Sequence, residues 1–158
     1  MHQHKKIMTD NFNLQRFIDA QDNHDTYGTA MAELHHGRKR SHWIWFIFPQ
    51  IAGLGFSHMS RFYAITCLDE ARAYLDSPVL GPRLHEACRE LMRQVAERGV
   101  SPKAILGGID AIKVRSSLTL FDAAAPDGIF AQALSACYGG VRDNNTLHII
   151  NNKQTTEK

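Results

Sequence analysis

Six consecutive apolar residues, Trp43-Ile44-Trp45-Phe46-Ile47-Phe48, constrain this chain more than any other feature. A helix or strand with one wet face shows periodicity, and this run shows none. A segment apolar on every side has to be buried on every side, so it marks the centre of a core. Pro49-Gln50 ends it, and both tryptophans and three of the eight phenylalanines fall within residues 43–56. A chain of 158 residues has room for one such core and one domain. At this size about 68–70% of the unfolded surface is buried on folding, so no disulfide or metal staple is needed. The three cysteines, Cys67, Cys88 and Cys137, agree: their number is odd and no Cys-x-x-Cys pair exists, which predicts free thiols.

Around this segment the spacing is helical. Leu14, Phe17, Ile18 and Gln21 predict a first short helix; Tyr27, Ala30, Met31 and Leu34 predict a second, stopped by Gly37. Leu68, Ala71 and Leu75 mark a third, with Thr66 and Asp69 as its capping pair. Ser77-Pro78 opens the best helix, whose stripe is Leu84, Ala87, Cys88, Leu91 and Val95 and whose stop is Gly99. Ser101-Pro102 starts a short one that ends at Gly107-Gly108. Residues 109–121 also alternate like a strand, through Ile112, Val114, Leu118 and Leu120, but the alanines that follow favour helix. Asp127 is placed to cap a helix carrying Phe130, Ala133, Leu134 and Cys137, and Asp143 to cap a last one with Leu147 and Ile150. Seven or eight short helices make an all-α domain over residues 12–150. Residues 1–11 read as a flexible leader, with Met8 as an alternative start, and 151–158 as a frayed polar tail.

The charge balance narrows the function. Eighteen Lys and Arg against sixteen Asp and Glu leave +2, too little to coat nucleic acid by charge alone. No apolar run approaches the roughly 18 residues of a membrane span, and the N-terminus has no signal-peptide core, so the expected location is the cytoplasm. His35, His36 and His42 form no metal site: neighbouring histidines on a helix point about 100° apart, and no His-x-x-x-His pair occurs. No cofactor motif is complete.

The candidate site is the segment 37–63. Arg38, Lys39 and Arg40 follow a helix end, where cations offset the dipole by about 0.3–1 kcal/mol; arginine forks also suit phosphate and carboxylate. The aromatics here are consecutive rather than interleaved with basic residues, which argues against a nucleic-acid surface. Gly53-Leu54-Gly55 resembles the opening of a phosphate-cradling loop, but the third glycine of a dinucleotide fingerprint and the Lys-Ser/Thr ending of a triphosphate loop are missing. Further on, Asp110, Lys113, Ser116 and Ser117 share a helical face, with Asp110–Lys113 as a surface ion pair.

These residues carry a resemblance. The segment 41–50, then Gly53-Leu54-Gly55 and Tyr63-Ala64-Ile65, resembles a bacterial domain family of unknown function, some of whose members are labelled calpastatin. Leu14-Gln15-Arg16-Phe17, Leu68-Asp69-Glu70-Ala71, Leu80-Gly81-Pro82-Arg83-Leu84, Lys113 with 115–121, and Asp143 to Leu147 extend the likeness to about residues 12–150. The resemblance implies a mainly α-helical single domain, with helix over 109–121, and no reaction. Calpain inhibitors are disordered, proline- and charge-rich segments, whereas this chain has five prolines and a core. Phe17-Ile18-Asp19-Ala20-Gln21 is similar to one element of the NADAR superfamily, helical proteins tied to NAD and ADP-ribose derivatives.

Together these readings lead to a small anionic, nucleotide-like ligand. Arg38, Arg40 and Arg61 would hold its charge, Trp43 would stack on it, and Gly53 and Gly55 would give backbone access beside Gln50. His42 would transfer protons, and Lys113, Ser116 and Ser117 would form a second polar wall. Two alternatives stand beside this one: a protein-interaction module whose aromatics are only core, and a hydrolase of N-glycosidic bonds in ADP-ribose-like metabolites, with Asp110 activating water. The sequence leaves the oligomeric state open.

Overall fold

The protein, in a computed structural model, is described over residues 12–157, with residues 154–157 as backbone only; the expected leader, and Met8 within it, lie outside the described residues. Helix α1 spans Gln15–Asp22, and a 3-10 turn over Asn23–Asp25 leads into α2, Thr26–His35. Two short helices follow, α3 over Ile44–Ile47 and α4 over His58–Phe62. The remainder is α5 (Leu68–Asp76), α6 (Leu80–Arg98), α7 (Pro102–Leu106), α8 (Gly108–Ala124), α9 (Ile129–Tyr138) and α10 (Asn144–Glu157). No strand forms among the described residues; one parallel bridge joins Ile51 to Ile65. The domain is all-α. The last helix runs on through most of 151–158, the stretch expected to form a polar tail.

The apolar run lies in the core. Trp43, Ile44, Phe46, Ile47 and Phe48 are buried, and only Trp45 among the six is half-exposed. The run is wound into one turn of helix, which is too short to show a period. Gln21 ties this turn to α1: its amide Nε2 donates to Phe46 O at 2.7 Å, and Arg83 donates to its Oε1 at 3.1 Å. Arg16 makes a second clasp. Its guanidinium donates to the carbonyls of Phe12, Asn13, Phe62 and Ala64 and pairs with buried Glu70 at 2.9 Å.

Helix α8 packs against α3, α5, α7, α9 and α10. Residues 116–122 are buried without a break, which is why its sequence has no clean amphipathic stripe. Most helix ends follow the expected chemistry. Ser101 Oγ accepts from Ala104 N at 3.1 Å ahead of Pro102. Asp143 Oδ2 accepts from Thr146 N at 3.1 Å. Gly99 and Gly139 take left-handed φ of 64° and 60° at the ends of α6 and α9.

Three helix starts differ from expectation. Ser77-Pro78 does not open α6: Pro78 lies in a turn, the N-cap is Val79, and Ser77 Oγ holds that turn by accepting from Leu80 N at 3.1 Å. Glu70, not Asp69, reaches back to Thr66, accepting from its N and Oγ1 at 2.8 Å each, because Asp69 turns outward to Arg72. Asp127 sits at φ 63° and makes no cap; Gly128 precedes α9 instead.

Candidate functional site

A cleft of about 370 Å³ opens between three parts of the chain. One wall is a stripe of α8: Ile109, Ile112, Lys113 and Ser116 stand at i, i+3, i+4 and i+7, one face of a helix. The facing wall comes from Trp45 on α3 and from Gln50, Leu54, Gly55, Ser57, Ser60 and Tyr63. Asp143 and Asn145, at the start of α10, close one end.

The facing wall is held from behind. Ser57 Oγ caps α4 by accepting from Ser60 N at 3.1 Å, and Tyr63 packs its ring on Phe46 at 5.2 Å between centroids. A Cβ on Gly55 would come within 2.7 Å of Ser60 Oγ, so a side chain there would crowd the wall.

The electrostatics centre on two charges. Lys113 Nζ stands 4.9 Å from the centroid of the Trp45 ring, a cation–π placement. Asp143 is only 8% exposed, and its Oδ2 accepts from Ser116 Oγ at 3.0 Å as well as from the Thr146 backbone and hydroxyl. Its own N–H donates to Thr119 Oγ1 at 3.0 Å, so α8 and α10 are fastened where the cleft closes. Trp45 Nε1 is buried without a hydrogen-bond partner.

A second cleft of about 360 Å³ adjoins the first and shares Trp45, Ile109 and Lys113 with it. His42 lines it, together with Lys39 and Asp110. His42 and Lys113 both line this second cleft, and His42 does not reach the first. The Asp110 carboxylate is held by Lys39 at 2.8 Å, with Lys113 at 3.9 Å, and lies outside the cleft that contains Ser116.

The structure thus brings Gln50, Gly55, Lys113 and Ser116 together and leaves other expected residues elsewhere. Trp43 is 0% exposed and has no face to offer a ligand; its indole N–H donates to Glu33 Oε1 at 2.9 Å. Ser117 is buried on the core side of α8. Arg38, Arg40 and Arg61 are exposed and line neither cleft. Gly53, at φ 106°, packs its backbone near Ile149 instead.

The basic stretch has a structural role. The backbone N–H groups of Arg40 and Ser41 donate to Glu33 at 2.7 and 2.9 Å, and the Ser41 hydroxyl donates to it too. Burial works to raise the Glu33 pKa, but these bonds and the one from Trp43 outweigh it and hold the carboxyl at about 2.

Sequence reasoning missed Trp45, Ser57, Ser60, Tyr63 and Asn145 as wall residues, and read Asp143 only as a cap. The i, i+3, i+4, i+7 stripe of α8 was the one signal available for the wall. None of the three cysteines lines this cleft, and burial pushes the Cys137 thiol up to about 11 and raises Cys88 as well. No group of three His, Cys, Asp or Glu able to hold a metal ion occurs among the described residues. No helix among them is long and apolar enough to cross a membrane.

Comparison with known proteins places this geometry in context. The family model described as "Protein of unknown function (DUF1810)" matches residues 11–150. The chain is also similar to the conserved hypothetical protein Rv1873 from Mycobacterium tuberculosis, known from a crystal structure. The two are 41% identical with a TM-score of 0.84, over 90% of this chain and 99% of that one. No curated protein matches.

Proposed function

Since the chain belongs to the DUF1810 family, described only as of unknown function, we propose its role from the cleft itself: it binds a small anionic ligand between α8 and the segment 45–63. The observation that carries this reading is the Lys113 ammonium poised over Trp45 in a cleft whose other polar groups are mostly hydroxyls and amides. An ammonium there meets an anion, while the apolar side chains of Trp45, Leu54 and Ile112 take the ligand's less polar face. The volume lies at the small end of the roughly 300–1,000 Å³ typical of ligand pockets, which limits the ligand to metabolite size. The reading is cytoplasmic: the three free thiols suit a reducing compartment.

A thermal-shift screen against nucleotides, ADP-ribose, NAD, sugar phosphates and polyanions tests it. A ligand at 100 times its Kd stabilises by about 2.7 kcal/mol, or roughly 5–11 °C for a domain of this length. The expected result is a selective rise that Lys113→Met removes. A rise that survives Lys113→Met would refute the reading.

One observation favours a second reading, a module that docks on a protein through the rim of this cleft. Phe56, Ile109 and Ile112 are 81, 73 and 57% exposed and all line it. On that reading the screen is flat, and a saturable protein partner is lost in Ile109→Asp.

A further inference from the structure

We infer that the ligand carries hydroxyl donors as well as an anionic group, as a sugar phosphate does; this rests on the anion reading above and goes on to name the substrate class. The argument starts from the charges. Lys113 is the one cation lining the larger cleft and Asp143 the one carboxylate, so the site is neutral rather than basic. Asp143 is more than nine-tenths buried, and every hydrogen bond its side chain accepts falls on Oδ2. Oδ1 has no protein donor among the described residues.

Asp143 lines the cleft, and its Oδ1 is not among the buried atoms left without a partner, so this oxygen is open to solvent and available to a ligand hydroxyl. A ligand built only of acceptors, such as inorganic phosphate or a polyphosphate, would bring like charge toward that oxygen while gaining from Lys113. A ligand with an anion at one end and hydroxyls at the other gains at both. Ser116, which anchors Asp143, stands three residues beyond Lys113 on α8, so the cation and the hydroxyl that holds the carboxylate share one face of the helix. The amides of Gln50 and Asn145 line the same space and both donate and accept, which suits hydroxyls.

Isothermal titration with ribose 5-phosphate, 2-deoxyribose 5-phosphate, glucose 6-phosphate, inorganic phosphate and tripolyphosphate tests the inference on the wild-type chain, Asp143→Asn and Lys113→Met. Asparagine keeps the helix cap and removes the charge. The expected result is binding of at least one sugar phosphate ten-fold or more tighter than inorganic phosphate. Asp143→Asn should weaken that sugar phosphate ten-fold without weakening inorganic phosphate, and Lys113→Met should weaken both. If Asp143→Asn melts early, the wild-type preference for sugar phosphates over inorganic phosphate and tripolyphosphate decides. Tight binding of tripolyphosphate or inorganic phosphate, strengthened by Asp143→Asn, would overturn the inference and leave the anion reading standing. No binding of any of the five probes would overturn both.

Discussion

Glu33 shows how much one side chain organises here. Its carboxylate gathers the Arg40 and Ser41 amides, the Ser41 hydroxyl and the Trp43 indole, and so closes the connection from α2 to the apolar run. Its pKa lies at about 2 in the folded chain against an ordinary value of 4.5. A depressed carboxyl contributes stability that is complete above the unfolded value and is lost as pH falls through the folded one. Glu33→Gln should therefore lower the stability at pH 7 by on the order of 2–3 kcal/mol once solvent screening is allowed for. The gap to wild type should close between about pH 5 and pH 2. Melting curves of both proteins across that range check it, and a gap independent of pH would refute it. The same scale explains why Trp43 and Trp45 could not be told apart in the sequence. Trp43 stands at the non-helical N-cap of α3 and Trp45 inside its single turn, so one indole turns to Glu33 and the other to the cleft. Which is which depends on Glu33, ten residues upstream, and nothing in the local pattern reveals that partner.

At the scale of elements, legibility followed wetness. Helices with one exposed face, α2 and α6 above all, declare themselves through their stripes and their glycine stops. Helix α8 does not, because it is covered by five neighbours and its buried positions run together. Yet the cleft wall, 109-112-113-116, starts from the exposed apolar residues Ile109 and Ile112, so the site was partly visible as a departure from burial. Ser117 was misplaced by a single residue, about 100° of rotation. Close packing of elements also gives a sharp prediction about glycine. Gly→Ala inside a helix normally stabilises by about 1 kcal/mol. At Gly81 in α6 the new Cβ would fall 2.2 Å from the Leu75 carbonyl oxygen, a backbone atom that cannot step aside cheaply. Gly81→Ala should thus destabilise by about 1–3 kcal/mol or more, the range of an overpacked core. Gly108→Ala at the start of α8 meets nothing nearer than Lys103 Cε at 3.7 Å. It should be stabilising by up to about 0.4–1 kcal/mol. Urea unfolding of the two variants decides; equal signs would show that α5 and α6 do not approach as closely as described.

Across the whole molecule, the core and the cleft divide one short segment between them. The larger cleft draws on residues 45–63, 109–116 and 143–145, three stretches that only the folded chain brings together. That is why sequence reading found the first stretch and part of the second but missed the third as a wall. The division is testable through the two indoles, which make opposite demands on stability. Trp43→Phe leaves Glu33 without the indole donor and opens space in a fully buried site, so it should cost about 1–3 kcal/mol. Trp45→Phe removes an indole N–H that is buried without a partner, so no hydrogen bond is lost and a desolvation cost is relieved. Its Tm should stay within about 2–4 °C of wild type, the shift that 1 kcal/mol produces at this length. Because Lys113 lies over the Trp45 ring, a bound anion that draws the ammonium away should change the emission of that indole and leave Trp43 unaffected. Titrating ribose 5-phosphate into Trp43→Phe should therefore preserve the fluorescence change, and titrating it into Trp45→Phe should abolish it. A chain in which Trp45→Phe were the more destabilising of the two would contradict the assignment of Trp43 to the core and Trp45 to the cleft.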